Sequence, residues 1–151
     1  MNSIEKTLND QLDVLLDLIL ENKEGFRKAT KFATDENLKI YFERKSQECN
    51  EFAIELIEEF EFLGIADEEK DSLFHYVKRT WTSIKWVFSS CDDEKILNKI
   101  RAADQELIEK YNAILQLQLR PSTQTLLTLQ KECIKNNLIY TKQLKQLPKL
   151  S

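Results

Sequence analysis

Apolar residues in this chain recur at alternating steps of three and four almost from end to end, and very little interrupts them. Leu8, Leu12, Leu15, Ile19, Phe26, Ala29 and Ala33 follow that spacing, with Asn22 as the one polar member. Such steps place every one of these side chains on a single helix face. Only two glycines and two prolines occur in 151 residues, against roughly eighteen at average usage. An all-β fold needs far more turn formers than that. Long helices are what the pattern allows.

Four further stripes follow the first. Leu38, Phe42, Lys45, Cys49, Phe52, Leu56, Phe60 and Leu63 form the second, with Gly64 placed to end it in a left-handed turn. The third is Phe74, Val77, Trp81, Ile84 and Phe88, and the fourth Ile96, Ile100, Ala103, Leu107, Tyr111 and Ile114. The last runs Leu126, Leu129, Cys133, Asn137, Tyr140, Leu144 and Leu147, stopped by Pro148. Thr34 and Asp92 are placed as N-caps, and Pro121 breaks the chain before the final stripe. The spacing predicts one all-α domain over 1–151, with helices over about 3–32, 35–63, 72–89, 93–118 and 122–147. Two long helices, a shorter one and two more long ones make a four-helix bundle with a crossover helix between the second and third long members. That crossover lays Trp81 against the outside of the core.

Charge narrows the function classes. The chain carries 22 Lys+Arg and 26 Asp+Glu, a net charge of −4, which lacks the basic footprint of a nucleic-acid binder. No apolar run is long enough for a membrane span, and the first residues do not read as a signal peptide. Cys49, Cys91 and Cys133 are odd in number and widely spaced, so neither a disulfide frame nor a zinc site is indicated. A cytoplasmic location follows as the expectation. Residues 43–71 hold eleven acids and three bases, and 120–151 six bases and one acid. The flanks of the second and last long helices are therefore candidates for pairing.

Several residues stand in a familiar order: Glu21, Glu24-Gly25-Phe26 and Ala29; Gln47-Glu48, Phe52 and Glu55-Leu56; Arg79-Thr80-Trp81, Lys85 and Phe88; Asp92-Asp93-Glu94; Tyr111. In these the chain resembles an uncharacterised bacterial family of ferritin-like four-helix-bundle proteins. The resemblance implies a ferritin-like fold, a stress-related setting, and a carboxylate-bridged pair of metal ions inside the bundle.

The residues depart from that expectation. A di-metal bundle site takes Glu-x-x-His pairs aimed at one point on the axis, yet the single histidine, His75, follows Ser72 at that spacing, and Lys78 stands where a histidine is expected. Glu48-x-x-Glu51, Glu55-x-x-Glu58 and Glu106-x-x-Glu109 have the spacing without the imidazole. An iron or manganese site would have to be built from Glu21, Glu48, Glu55 and Asp104, and the glutamates among these lie off the apolar seam. His75 reads as a surface residue. Asn22 and Asn137 interrupt seams, and a buried amide there needs a polar contact or a bound water. Cys49 and Cys133 read as small buried hydrophobes and Cys91 as an exposed thiol near a helix start.

Two functional readings remain. One is a non-catalytic bundle without a cofactor, acting through protein contacts as a homodimer or with another protein, with Trp86 as an exposed anchor at the interface. The alternative is an iron- or manganese-binding ferritin-like oxidase or storage protein.

Overall fold

The structure is a computed structural model that describes residues 3–62 and 86–146, with side chains described for 7–61 and 86–144. Among the described residues there are four α-helices and no strand: α1 Ser3–Phe32, α2 Glu36–Phe62, α3 Asp93–Leu115 and α4 Pro121–Gln146. The expected crossover helix over 72–89, with Trp81 and His75, lies outside the described residues except at its end. There Trp86 to Phe88 are not α-helical.

Local chemistry sets the helix ends. The backbone after α1 closes with Ala33 N–H on Ala29 C=O, and Asp35 caps α2 by accepting from the Leu38 amide at 3.1 Å. Thr34, the expected cap, is engaged elsewhere: its amide and hydroxyl both donate to the Asp93 carboxylate at 2.8 Å, and the Asp35 amide donates to it at 2.9 Å. Asp93 therefore closes the start of α2 from the first residue of α3. Asp92 caps α3 itself through the Lys95 amide. α3 ends at Leu115, earlier than the 118 expected, because the Gln116 and Leu117 amides turn back onto Ala113 and Ile114. Pro121 opens α4, where its missing N–H leaves no bond unmade.

The helices pack in a square. α1 contacts α2 and α3, and α4 contacts α2 and α3. α1 and α2 are antiparallel, as the Ser46 hydroxyl on Lys23 C=O marks. α3 and α4 are likewise antiparallel, with Tyr111 bonded to Gln130 and Arg101 to Leu138 C=O. α2 and α3 are parallel across the diagonal. Asp93 meets Thr34, and eleven residues further along both helices Asp104 meets Lys45. With α2 about 40 Å long, its last residue and the first residue of α3 lie at opposite ends of the bundle.

The core is apolar along most of its length: Leu12, Leu15, Ile19, Phe26, Leu38, Phe42, Leu56, Phe60, Ile96, Ile100, Leu107 and Ile114 are buried. α4 differs from its expected face. It buries Thr123, Leu127, Gln130, Ile134 and Thr141, while Leu129 is 61% exposed, Cys133 is exposed and Tyr140 is largely so. The helix is turned by one residue relative to its apolar stripe. The turn brings its hydroxyls and amides onto α2 acceptors and sets Gln130 and Thr141 to accept from Tyr111 and Arg101 of α3.

Those contacts give three of the α2 acids partners on α4. The Asn137 amide donates to Glu48 at 2.8 Å, the Gln130 amide to Glu55 at 3.2 Å, and the Ser122 and Thr123 hydroxyls to Glu59 at 2.9 and 2.5 Å. Neutral donors meet the glutamates.

Candidate functional site

The core carries an ion pair that apolar packing does not explain. Lys45 follows Phe42 and precedes Cys49 on the inner face of α2, and Asp104 follows Ala103 on the inner face of α3. Both charges are out of water, Lys45 at 3% exposure and Asp104 at 1%. Lys45 Nζ lies 2.8 Å from each Asp104 oxygen. It also sits 4.8 Å from the centre of the Phe26 ring and 5.8 Å from that of Tyr41. Taking either charge out of water alone would cost several kcal/mol, so each is tolerable only with the other. Burial pushes the Asp104 carboxyl above its ordinary range, opposed by the Lys45 charge and hydrogen bonds.

Polar side chains from three helices surround the pair. Arg101, one turn before Asp104, donates to Leu138 C=O and to the Thr141 hydroxyl. Glu48, one turn after Lys45, is half-buried and accepts from Asn137. The Tyr41 ring stacks at 5.3 Å from Tyr140, and its hydroxyl is buried without a hydrogen bond. Burial, then the charges of Asp104 and Glu48, push that phenol upward. Tyr111 donates to Gln130 at 2.6 Å, and Gln130 passes its own amide hydrogens to Glu55 and to Phe52 C=O. This network joins α2, α3 and α4 without presenting a free nucleophile. Cys49, fully buried, has its thiol pushed up by desolvation, so it is a poor nucleophile.

The four residues expected as an alternative metal set are distributed over separate contacts. Asp104 is held by Lys45, Glu48 by Asn137, Glu55 by Gln130, and Glu21 accepts from the Trp86 indole at 3.1 Å. Among the described residues no three His, Cys, Asp or Glu side chains gather into a group able to hold an ion. With an ammonium already against both Asp104 oxygens, this donor set does not fit a carboxylate-bridged iron or manganese centre. His75, Ser72 and Lys78 lie outside the described residues.

Trp86 corrects a second expectation. It is 3% exposed, not an open anchor. Its ring lies edge-on to Phe26 at 5.8 Å and against Phe88 at 6.2 Å. It rests directly over Gly25, where any Cβ would run into the indole. A glycine in the middle of α1 thus makes the seat for the tryptophan, and Glu21 one turn earlier accepts its N–H.

The two seam asparagines differ. Asn137 finds Glu48, whereas Asn22 is 0% exposed and neither of its amide atoms has a hydrogen-bond partner. On the same helix the Asp17 carboxyl is pushed up to about 7, by partial burial and then by the neighbouring Asp13 and Glu21. The Lys45–Asp104 pair was visible in the sequence only as a lysine within one apolar seam and an aspartate beside another.

Compared with known families, the sequence matches one described as a domain of unknown function (DUF2383) over residues 4–117, from the start of α1 to just past α3. No curated protein matches the chain.

Proposed function

The chain belongs to this domain-of-unknown-function family, and from its geometry we propose a non-catalytic, bacterial, ferritin-like bundle that works through its surface by associating with a second copy of itself. The reading rests on one observation above all: the charged pair in the core is closed on itself at 2.8 Å. Lys45 supplies the positive charge that an inward carboxylate needs, so the interior has no call for iron or manganese. Two antiparallel helix pairs joined so that α2 and α3 run parallel support the ferritin-like arrangement.

The outer faces support action through contacts. Ile40, Ile54, Leu129 and Ile139 are all large apolar side chains standing in solvent. Three unpaired cysteines accord with a cytoplasmic setting. No described helix is long and apolar enough to cross a membrane. A stress-related role is the biological setting that the family resemblance brings.

Metal analysis of protein purified without chelators, followed by iron-dependent oxygen consumption and light scattering, tests the reading. It expects metal far below one ion per chain, no oxygen consumption and a dimer. Stoichiometric iron or manganese that disappears in Asp104→Asn would overturn it.

A further inference from the structure

We propose that two copies of the chain meet on the groove between α3 and α4, related by a two-fold axis. The inference rests on the self-association reading above and gives it a surface. The groove has a volume of about 540 Å³ on the outer side of the bundle, away from α1 and α2. Ile108 and Leu138 form its apolar part, and Ile139 stands beside them, 57% exposed. Glu109 lines it from α3, and Lys131 and Lys135 from α4.

Glu109 and Lys131 have no ion-pair partner among the described residues. Lys135 reaches only Glu132 on its own helix, at 3.6 Å and half in solvent, a pairing that is worth little. One patch therefore holds a knob, a hollow, an acid and a base without ion-pair partners among the described residues, and a second base held only weakly by its own helix. A two-fold contact sets each residue of the patch against another residue of the same patch, in both directions. Ile139 of one copy enters the hollow beside Ile108 and Leu138 of the other, and Glu109 faces Lys131 and Lys135, twice over. A partner of a single charge sign would leave one of the two signs without a counter-charge; a second copy leaves neither.

Sedimentation and light scattering across the micromolar to millimolar range test this on the full chain. The expected wild type is a dimer, and Ile139→Asp weakens it by at least about 30-fold, as loss of a central anchor does. Glu109→Lys alone, and Lys131→Glu with Lys135→Glu, each give monomers with unchanged helicity. Mixing those two proteins restores a heterodimer, because both crossed contacts are then opposite in sign. A wild-type dimer unaffected by all three variants places the contact elsewhere and overturns this surface alone. A wild type that stays monomeric overturns both the surface and the self-association reading. Variants that lose the dimer separately and fail to pair when mixed overturn the two-fold arrangement.

Discussion

Lys45 and Asp104 face each other across the diagonal of the bundle, one ammonium against two carboxylate oxygens at 2.8 Å, with both side chains essentially out of water. α2 and α3 run parallel across the diagonal, and this pair ties them together one further time beyond the Asp93 contacts at the start of α2. A contact that only one axial register satisfies holds that register, in the way a buried polar residue does in coiled coils.

Breaking the pair from one side strands a buried charge. Lys45→Met and Asp104→Leu, each alone, are expected to lose about 3–5 kcal/mol in urea unfolding. The double variant recovers most of that loss, since an apolar pair of similar volume needs no counter-charge. Losses that simply add would show that the two residues are not coupled.

Trp86 and Gly25 give a test of packing. Alanine favours a helix over glycine by about 1 kcal/mol, so Gly25→Ala on an open helix face would stabilise. Here the added methyl meets the indole, and overpacking of this kind costs about 1–3 kcal/mol. Net destabilisation with a changed tryptophan emission is the expected result. A stabilised variant with unchanged emission would contradict the seat described for Trp86.

Two carboxylates shape the pH dependence with opposite signs. Partial burial raises the Asp93 pKa, but the hydrogen bonds from Thr34 and Asp35 outweigh it and leave it lowered. A lowered carboxyl contributes stability that is complete above the unfolded value near ~3.9 and is lost as pH falls through the folded value. Asp93→Ala should therefore lose about 0.5–2 kcal/mol at neutral pH, as caps do, and show a flatter acid limb. Asp17 is raised to about 7, so its contribution is complete below the unfolded value and lost as pH climbs through 7. Asp17→Asn should stabilise at pH 8 and change nothing at pH 4. Melting curves across pH check both, and parallel profiles for wild type and either variant would contradict the assignment.

Among the described residues Asn22 is the one core amide with neither atom bonded. Its burial costs about 1–3 kcal/mol, so Asn22→Leu should stabilise by an amount of that order in denaturant titration. Destabilisation would mean that the amide holds a polar partner in solution.

How much of this was legible in the sequence depended on whether a face was chosen by apolar residues alone. The inner faces of α1 and α2 largely were, because Leu12, Ile19, Phe26, Phe42 and Leu56 are both apolar and buried, with Asn22 and Lys45 as polar exceptions. α4 was not: its buried face includes Thr123, Gln130 and Thr141, which bond to polar groups of α2 and α3, while Leu129 and Tyr140 stand outside. Its apolar stripe therefore pointed one residue away. Trp86 could not be placed because its burial depends on a glycine 61 positions earlier. The charge pair spans 59 positions, and no local spacing joins Lys45 to Asp104. Asp104 drew notice as a metal ligand only through the family resemblance, whereas its neighbour in the core is the Lys45 ammonium.

Calorimetric titration of manganese(II) into the full chain tests that last point most directly. With Lys45 as the resident positive charge, wild type should give no saturable binding at one ion per chain, and its melting temperature should not move. Saturable, stoichiometric binding that vanishes in Asp104→Asn would contradict the account, because it would place an ion where the ammonium is said to be.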